Sequence, residues 1–169
     1  MSGDIEGLLN TAELPELGPE RRSGTTSSGE IDRLLGSNVD PLLRATVLLW
    51  HDHLDEAHTI SQEVKSADGS YLHGIMHRRE PDYDNAKYWF NRVGKHALFA
   101  PLGEQTLSLL SSEAGLSKRL VPRGQWDPYA FIDACEEAEN GRLSLEQKML
   151  LRKIQAAELT LLFDQFRSH

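Results

Sequence analysis

A chain of 169 residues is long enough for one domain with a true core and too short for a second domain of ordinary size. Eighteen basic against 26 acidic residues leave a net charge of −8, which repels phosphate backbones and anionic bilayer surfaces, so neither nucleic acid nor membrane is expected as a partner. No apolar run approaches the roughly 18 residues that a bilayer span needs, and MSGDIEGLLN lacks the basic start and apolar stretch of a signal peptide, so a soluble cytoplasmic protein is expected. The lone Cys135 lies at helical spacing with Phe131, Ile132 and Ala138 and reads as a buried thiol.

Residues 5–10 suit a short helix, stopped by Pro15, Gly18 and Pro19. The run GPERRSGTTSSG that follows is nearly devoid of apolar residues, so residues 1–29 are expected to form a flexible arm and 30–169 a single helical domain. Ser27 and Glu30 have capping-box spacing and open a helix that Gly36 ends. Asp40–Pro41 starts a long helix to about Val64, with Leu43, Val47, Trp50, Leu54, Ala57 and Val64 on one core-facing stripe. SADGS makes the turn, Ser70 caps a helix over 71–80, and Pro81 closes it.

Asp82 or Asp84 starts a third helix, with Ala86, Trp89, Phe90 and Val93 inward and Gly94 as its stop. Leu102–Leu116 reads as one helix with Leu107, Leu110 and Ala114 inward, before the breakers VPRG. Asp127–Pro128 opens 128–139, whose Glu136, Glu137 and Glu139 suit a solvated face. Ser144 with Gln147 opens a long helix to about Phe166, with Leu151, Ile154, Leu161 and Leu162 inward and Glu158 in their midst. No segment alternates like a strand. The expected fold is all-α, an irregular bundle of about six helices around an antiparallel hairpin of 41–64 and 71–80.

Five of the seven histidines fall between His51 and Phe90. On a helix wheel His51, Asp55, His58 and Gln62 are spaced 4, 3 and 4 and form a stripe beside the apolar one. His73, His77 and Glu80, spaced 4 and 3, form another on the next helix. Folding the two helices about residues 67–68 pairs Gln62 with His73, His58 with His77, and Asp55 with Glu80. Imidazoles and carboxylates on facing helices suit a divalent transition metal such as Zn, Fe, Mn or Ni. His58, His73, His77 and Glu80 are the first-choice metal ligands; His51, Asp55 and Gln62 are second choices.

Glu80, Asp55 and His58 are the candidates for acid–base work. Two facing carboxylates also require a cation or proton between them. A guanidinium from Arg78 or Arg79 would satisfy that need, or meet an anionic substrate, although surface exposure is expected of both. His73 and His77 have the spacing of zinc proteases, but Gly74 stands where their general base would be, which excludes that class. His53 falls on the opposite, solvated face, His96 and His169 lie outside both stripes, and Glu158 is an additional pocket candidate because a buried acid needs a partner.

Gly74, Tyr83, Ala86 and Phe90 stand at the offsets of a single tetratricopeptide unit, and residues 70–93 resemble one. His73 and His77 occupy positions where that motif has large apolar residues, and no second copy follows at a spacing near 34. YLHGIMHRREPDYDNAKYWFNRVG also resembles a segment of small, functionally uncharacterised bacterial and fungal proteins, which implies a helical fold and no activity. Two functions follow as expectations. The first is a His/carboxylate pocket that binds a divalent metal or small molecule and does hydrolytic or redox chemistry. The alternative is a non-catalytic interaction module or structural subunit with a structural His/acid network, using Tyr83, Tyr88, Trp89 and Phe90 against a protein partner or a second copy.

Overall fold

Nine α-helices and no strand make up residues 5–168, which the computed structural model describes; the first four residues of the expected arm and His169 lie outside them. The helices are α1 (Ser28–Leu35), α2 (Pro41–Trp50), α3 (Leu54–Glu63), α4 (Ala67–Arg79), α5 (Tyr83–Val93), α6 (Phe99–Leu109), α7 (Ala114–Leu120), α8 (Pro128–Glu139) and α9 (Leu145–Arg167). No described helix is long and apolar enough to cross a membrane.

Local capping chemistry sets most of the starts. The Asp40 carboxylate accepts from Leu42 N–H, Asp127 from Tyr129 and Ala130, and Ser27 from Glu30. Ser144 and Gln147 form a reciprocal capping box. Asp82 caps α5 and Gly94 ends it.

Three boundaries differ from expectation. The predicted 41–64 helix is broken at 51–53 into α2 and α3. Asp52 adopts φ +68° and two backbone bonds close α2, from Asp52 N–H to Leu49 O and from His53 N–H to Leu48 O. This is a Schellman cap with aspartate in the place glycine ordinarily takes. The next helix begins at Ala67, four residues before the predicted 71, because Ser66 and not Ser70 accepts from Gly69 N–H. The predicted 102–116 helix is two, α6 and α7, and Leu107 is exposed.

Arg79 explains the break at Asp52. Its guanidinium is wholly buried and donates to Leu49 O at 2.7 Å, Gly18 O at 3.1 Å and Asp52 Oδ1 at 3.0 Å. The other carboxylate oxygen of Asp52 accepts from Arg22 N–H at 2.8 Å and Arg22 Nε at 3.0 Å. Burial alone would raise the Asp52 pKa, but these donors outweigh it and hold the carboxyl below its usual value.

Residues 5–27, expected as an arm, lie against the helices as a strap. Leu8 and Leu17 are buried. Arg152 donates to Leu14 O and Pro15 O, and Gln155 to Glu16 O. Arg22 also reaches Trp50 O and Glu13 O.

The apolar interior has two lobes. One gathers α2 to α5 with Leu159, Leu162, Phe163 and Phe166 of α9; the other gathers α6 to α8 with Leu151 and Ile154 of the same helix. Helix α9 is therefore the shared wall. Two glycines set how closely the hairpin helices approach. A Cβ on Gly69 would stand 2.1 Å from Val64 O, and one on Gly74 would stand 2.7 Å from the Phe90 ring. Tight closure at Gly69 brings the middle of α3 opposite α4, and Gly74 lets α5 lie flat on it.

Candidate metal centre

His58 projects from the middle of α3, and His73 and His77 project one turn apart from the facing side of α4. Ring centroids are 4.8 Å apart for His58–His73, 5.2 Å for His58–His77 and 4.8 Å for His73–His77. One ring nitrogen from each lies within 4.8 Å of the other two, so the three can hold a metal ion. His58 is half-buried, while His73 and His77 are only 5% and 6% exposed.

The surroundings orient the rings but leave nitrogens over. Trp89 of α5 stacks on His73 at 3.8 Å and 15°. Asn85 Nδ2 lies 3.3 Å from His77 Nε2. On the other side of His77, Glu80 Oε1 is 3.6 Å and Asp82 Oδ2 4.0 Å from Nδ1, too far to be hydrogen bonds. The Nδ1 atoms of His73 and His77 are thus buried with no hydrogen-bond partner among the described residues. A buried polar atom left so costs about 1–3 kcal/mol.

Burial, the neighbouring imidazoles of His77 and His58 and the Lys65 ammonium pull the His73 pKa down to about 4. Burial and His58 also lower His77, against a smaller opposing pull from Asp82. At neutral pH both rings therefore present lone pairs, the form in which histidine ligates metals. Burial raises Glu80, opposed by His58 and helped by Asp82 and Asp55, which makes it a readier proton carrier than a free glutamate.

Of the first-choice ligands the structure brings His58, His73 and His77 together, with Glu80 at the edge. The second choices are elsewhere. His51, at the end of α2, is bound to the strap, its Nε2–H donating to Leu8 O at 2.6 Å and its Nδ1 accepting from Thr26 N–H at 3.0 Å; the break after α2 turned it off the α3 stripe. Asp55 is exposed and reaches Glu80 only through space, and Gln62 is exposed beyond the triad.

Glu158 faces the other side of α4. It accepts from Arg78 Nη2 at 2.7 Å and from the Tyr71 hydroxyl at 3.0 Å, with Arg78 lying over the Phe131 ring. Both predicted surface arginines are therefore buried and consumed by structure. His53, expected in solvent, is buried with Nε2 2.8 Å from Thr26 O, and His96 pairs with Asp68 at 2.6 Å. Of the four aromatics proposed as an anchor surface only Tyr88 is exposed; Phe90 is core and Trp89 is a wall of the triad.

Sequence reasoning missed Asn85 and Trp89 as neighbours of the site. The available signal was their spacing, since both lie on α5 one turn apart, on the face next to His77 and His73. No protein-family model, curated protein or solved structure matches the chain.

Proposed function

We propose that the α3–α4 hairpin holds a divalent transition metal, zinc in the first instance, through His58, His73 and His77. What carries the reading is the pair of buried, partnerless Nδ1 atoms on neutral rings beside a third, half-exposed imidazole. Three nitrogens at the corners of a zinc tetrahedron stand about 3.3 Å apart for bonds of about 2.05 Å. The present spread of up to 4.8 Å would have to close by about 1.5 Å on binding, a change within reach of side-chain rotation. Turning the Asn85 amide, at the cost of its 3.4 Å contact from Nδ2 to Asp82 Oδ2, would let it accept from His77 Nε2–H and leave Nδ1 to the metal, a common way of orienting a ligating imidazole.

Three protein ligands leave a fourth position for water, which the metal would activate as a nucleophile. Glu80, whose Oε1 lies 3.6 Å from His77 Nδ1, would be the group to take that proton. A hydrolytic centre is therefore the specific form of the proposal.

The test is elemental analysis of untagged protein purified without chelator, with zinc titration of the EDTA-dialysed form. One equivalent bound at micromolar or lower zinc, lost in the His58→Ala, His77→Ala double variant, is expected. Cobalt substitution should give the visible absorption of a four-coordinate site. A folded protein that takes up none of Zn, Fe, Mn or Ni at micromolar concentration overturns the proposal.

A further inference from the structure

A cavity of about 370 Å³ opens in the same inter-helix groove, lined by Ser61, Gln62, Lys65, Ser70, Trp89 and Arg92 among others. Ser61 follows His58 by three residues and Ser70 precedes His73 by three, so the cavity lies one turn, about 4.5 Å of rise, from the triad. Trp89 belongs to both: it stacks on His73 and walls the cavity.

The lining has one sign. Lys65 donates to Gln62 O, and the Arg92 guanidinium lies 5.6 Å over Trp89, yet neither meets a carboxylate among the described residues. Both charges face the same opening, which no acidic side chain lines. Ser70 is 8% exposed and lines the cavity, and its hydroxyl makes no hydrogen bond among the described residues. The first turn of the 13-residue α4 also opens here, adding the positive end of its dipole. Asp68, in that turn, does not cancel it, because its carboxylate is engaged by His96 and Gln165.

We infer that this cavity binds the oxyanion group of a small ligand, a carboxylate or phosphate, held by Lys65, Arg92 and the Ser70 hydroxyl, with the remainder of the ligand directed along the groove to His58, His73 and His77. The anion site stands on its own geometry; calling its occupant the substrate rests on the proposed metal centre. Charge-assisted hydrogen bonds from two cations and a hydroxyl suit either group. A phosphate adds a second negative charge for the second cation, and a carboxylate does not.

The test is a titration of the full-length, EDTA-dialysed protein with inorganic phosphate and, separately, with acetate, followed by ¹H–¹⁵N shifts of the Trp89 indole and the backbone amides. Saturable shifts centred on residues 61–70, Trp89 and Arg92 are expected. Lys65→Ala, Arg92→Ala together should weaken the affinity by about tenfold or more while zinc uptake stays unchanged, and Ser70→Ala should weaken it less. Tighter phosphate than acetate assigns a phosphate-bearing ligand, and the reverse a carboxylate. No saturable shift with either anion, or shifts that persist in the double variant, overturns the inference and leaves the metal centre standing. A protein that binds phosphate here but takes up no metal retains the anion site and sinks the metal centre alone.

Discussion

Replacing Asp52 by Asn removes one charge with little change of shape. Asn tolerates the φ of +68° better than other non-glycine residues, so the backbone turn between α2 and α3 is retained. What is lost is the counter-charge of Arg79, whose side chain has no exposure, and an acceptor for one of the three N–H groups now directed at the carboxylate. Removing one partner of a buried ion pair typically costs about 3–5 kcal/mol. For a chain of this length that lowers Tm by roughly 10 °C.

Urea unfolding followed by far-UV circular dichroism measures the loss, and a cycle with Arg79→Met separates its parts. The double variant strands Arg22 alone, where Asp52→Asn strands both arginines, and should be less destabilised than the sum of the singles by about 2 kcal/mol. Asp52→Ala should be worse than Asp52→Asn by about 1 kcal/mol, because alanine lacks asparagine's tolerance of this backbone region. A loss below about 1 kcal/mol for Asp52→Asn, or strict additivity in the cycle, would refute the reasoning that this pair holds the helix break.

In metal-free protein, His73 binds its proton near pH 4 folded and near 6.5 unfolded. Between those values the unfolded state holds more protons, so stability is complete above pH 6.5 and declines as pH falls toward 4, by about 3 kcal/mol in all. His73→Phe should flatten that part of a urea-midpoint profile, and an unchanged slope contradicts the burial of a neutral ring. Gly74→Ala gains about 1 kcal/mol of helix propensity but drives a methyl to 2.7 Å from Phe90, so a net loss of about 1 kcal/mol is expected, reduced when Phe90→Leu is added. Glu158→Gln strands Arg78 in the interior and should cost about 3 kcal/mol by thermal denaturation; wild-type stability would show that Arg78 finds another partner.

What the sequence made legible was chemistry that acts locally. Asp-Pro and Ser-x-x-Glu/Gln phrases locate helix starts because the capping oxygen and the N–H it accepts from lie within three residues. The triad was legible for a similar reason: His58, His73 and His77 lie on unbroken stretches of α3 and α4, where wheel geometry holds. His51 was lost because the wheel was carried across 51–53, where contacts from Arg22 and Arg79 stop the helix without a glycine to signal it. The buried arginines were misread because their partners, Asp52 and Glu158, lie 27 and 80 residues away. The strap was misread because polar composition argues for solvent only when no buried donors claim its carbonyls, and Arg79, Arg152 and Gln155 claim them.

The strap also orders events during synthesis. Leu14, Pro15 and Glu16 leave the ribosome well before Arg152 and Gln155, whose side chains donate to their carbonyls. The hairpin and its histidines can close from neighbouring sequence, and Leu8, Arg22 and Thr26 can seat on residues 50–53, but Leu14, Pro15 and Glu16 have no seat until α9 is made. Pairings across more than 130 residues carry the largest loop-closure cost in the chain and form late. The Leu14–Glu16 part of the strap is therefore fastened late, after the Arg22–Asp52 and Arg79–Gly18 contacts that need only the helices up to α4.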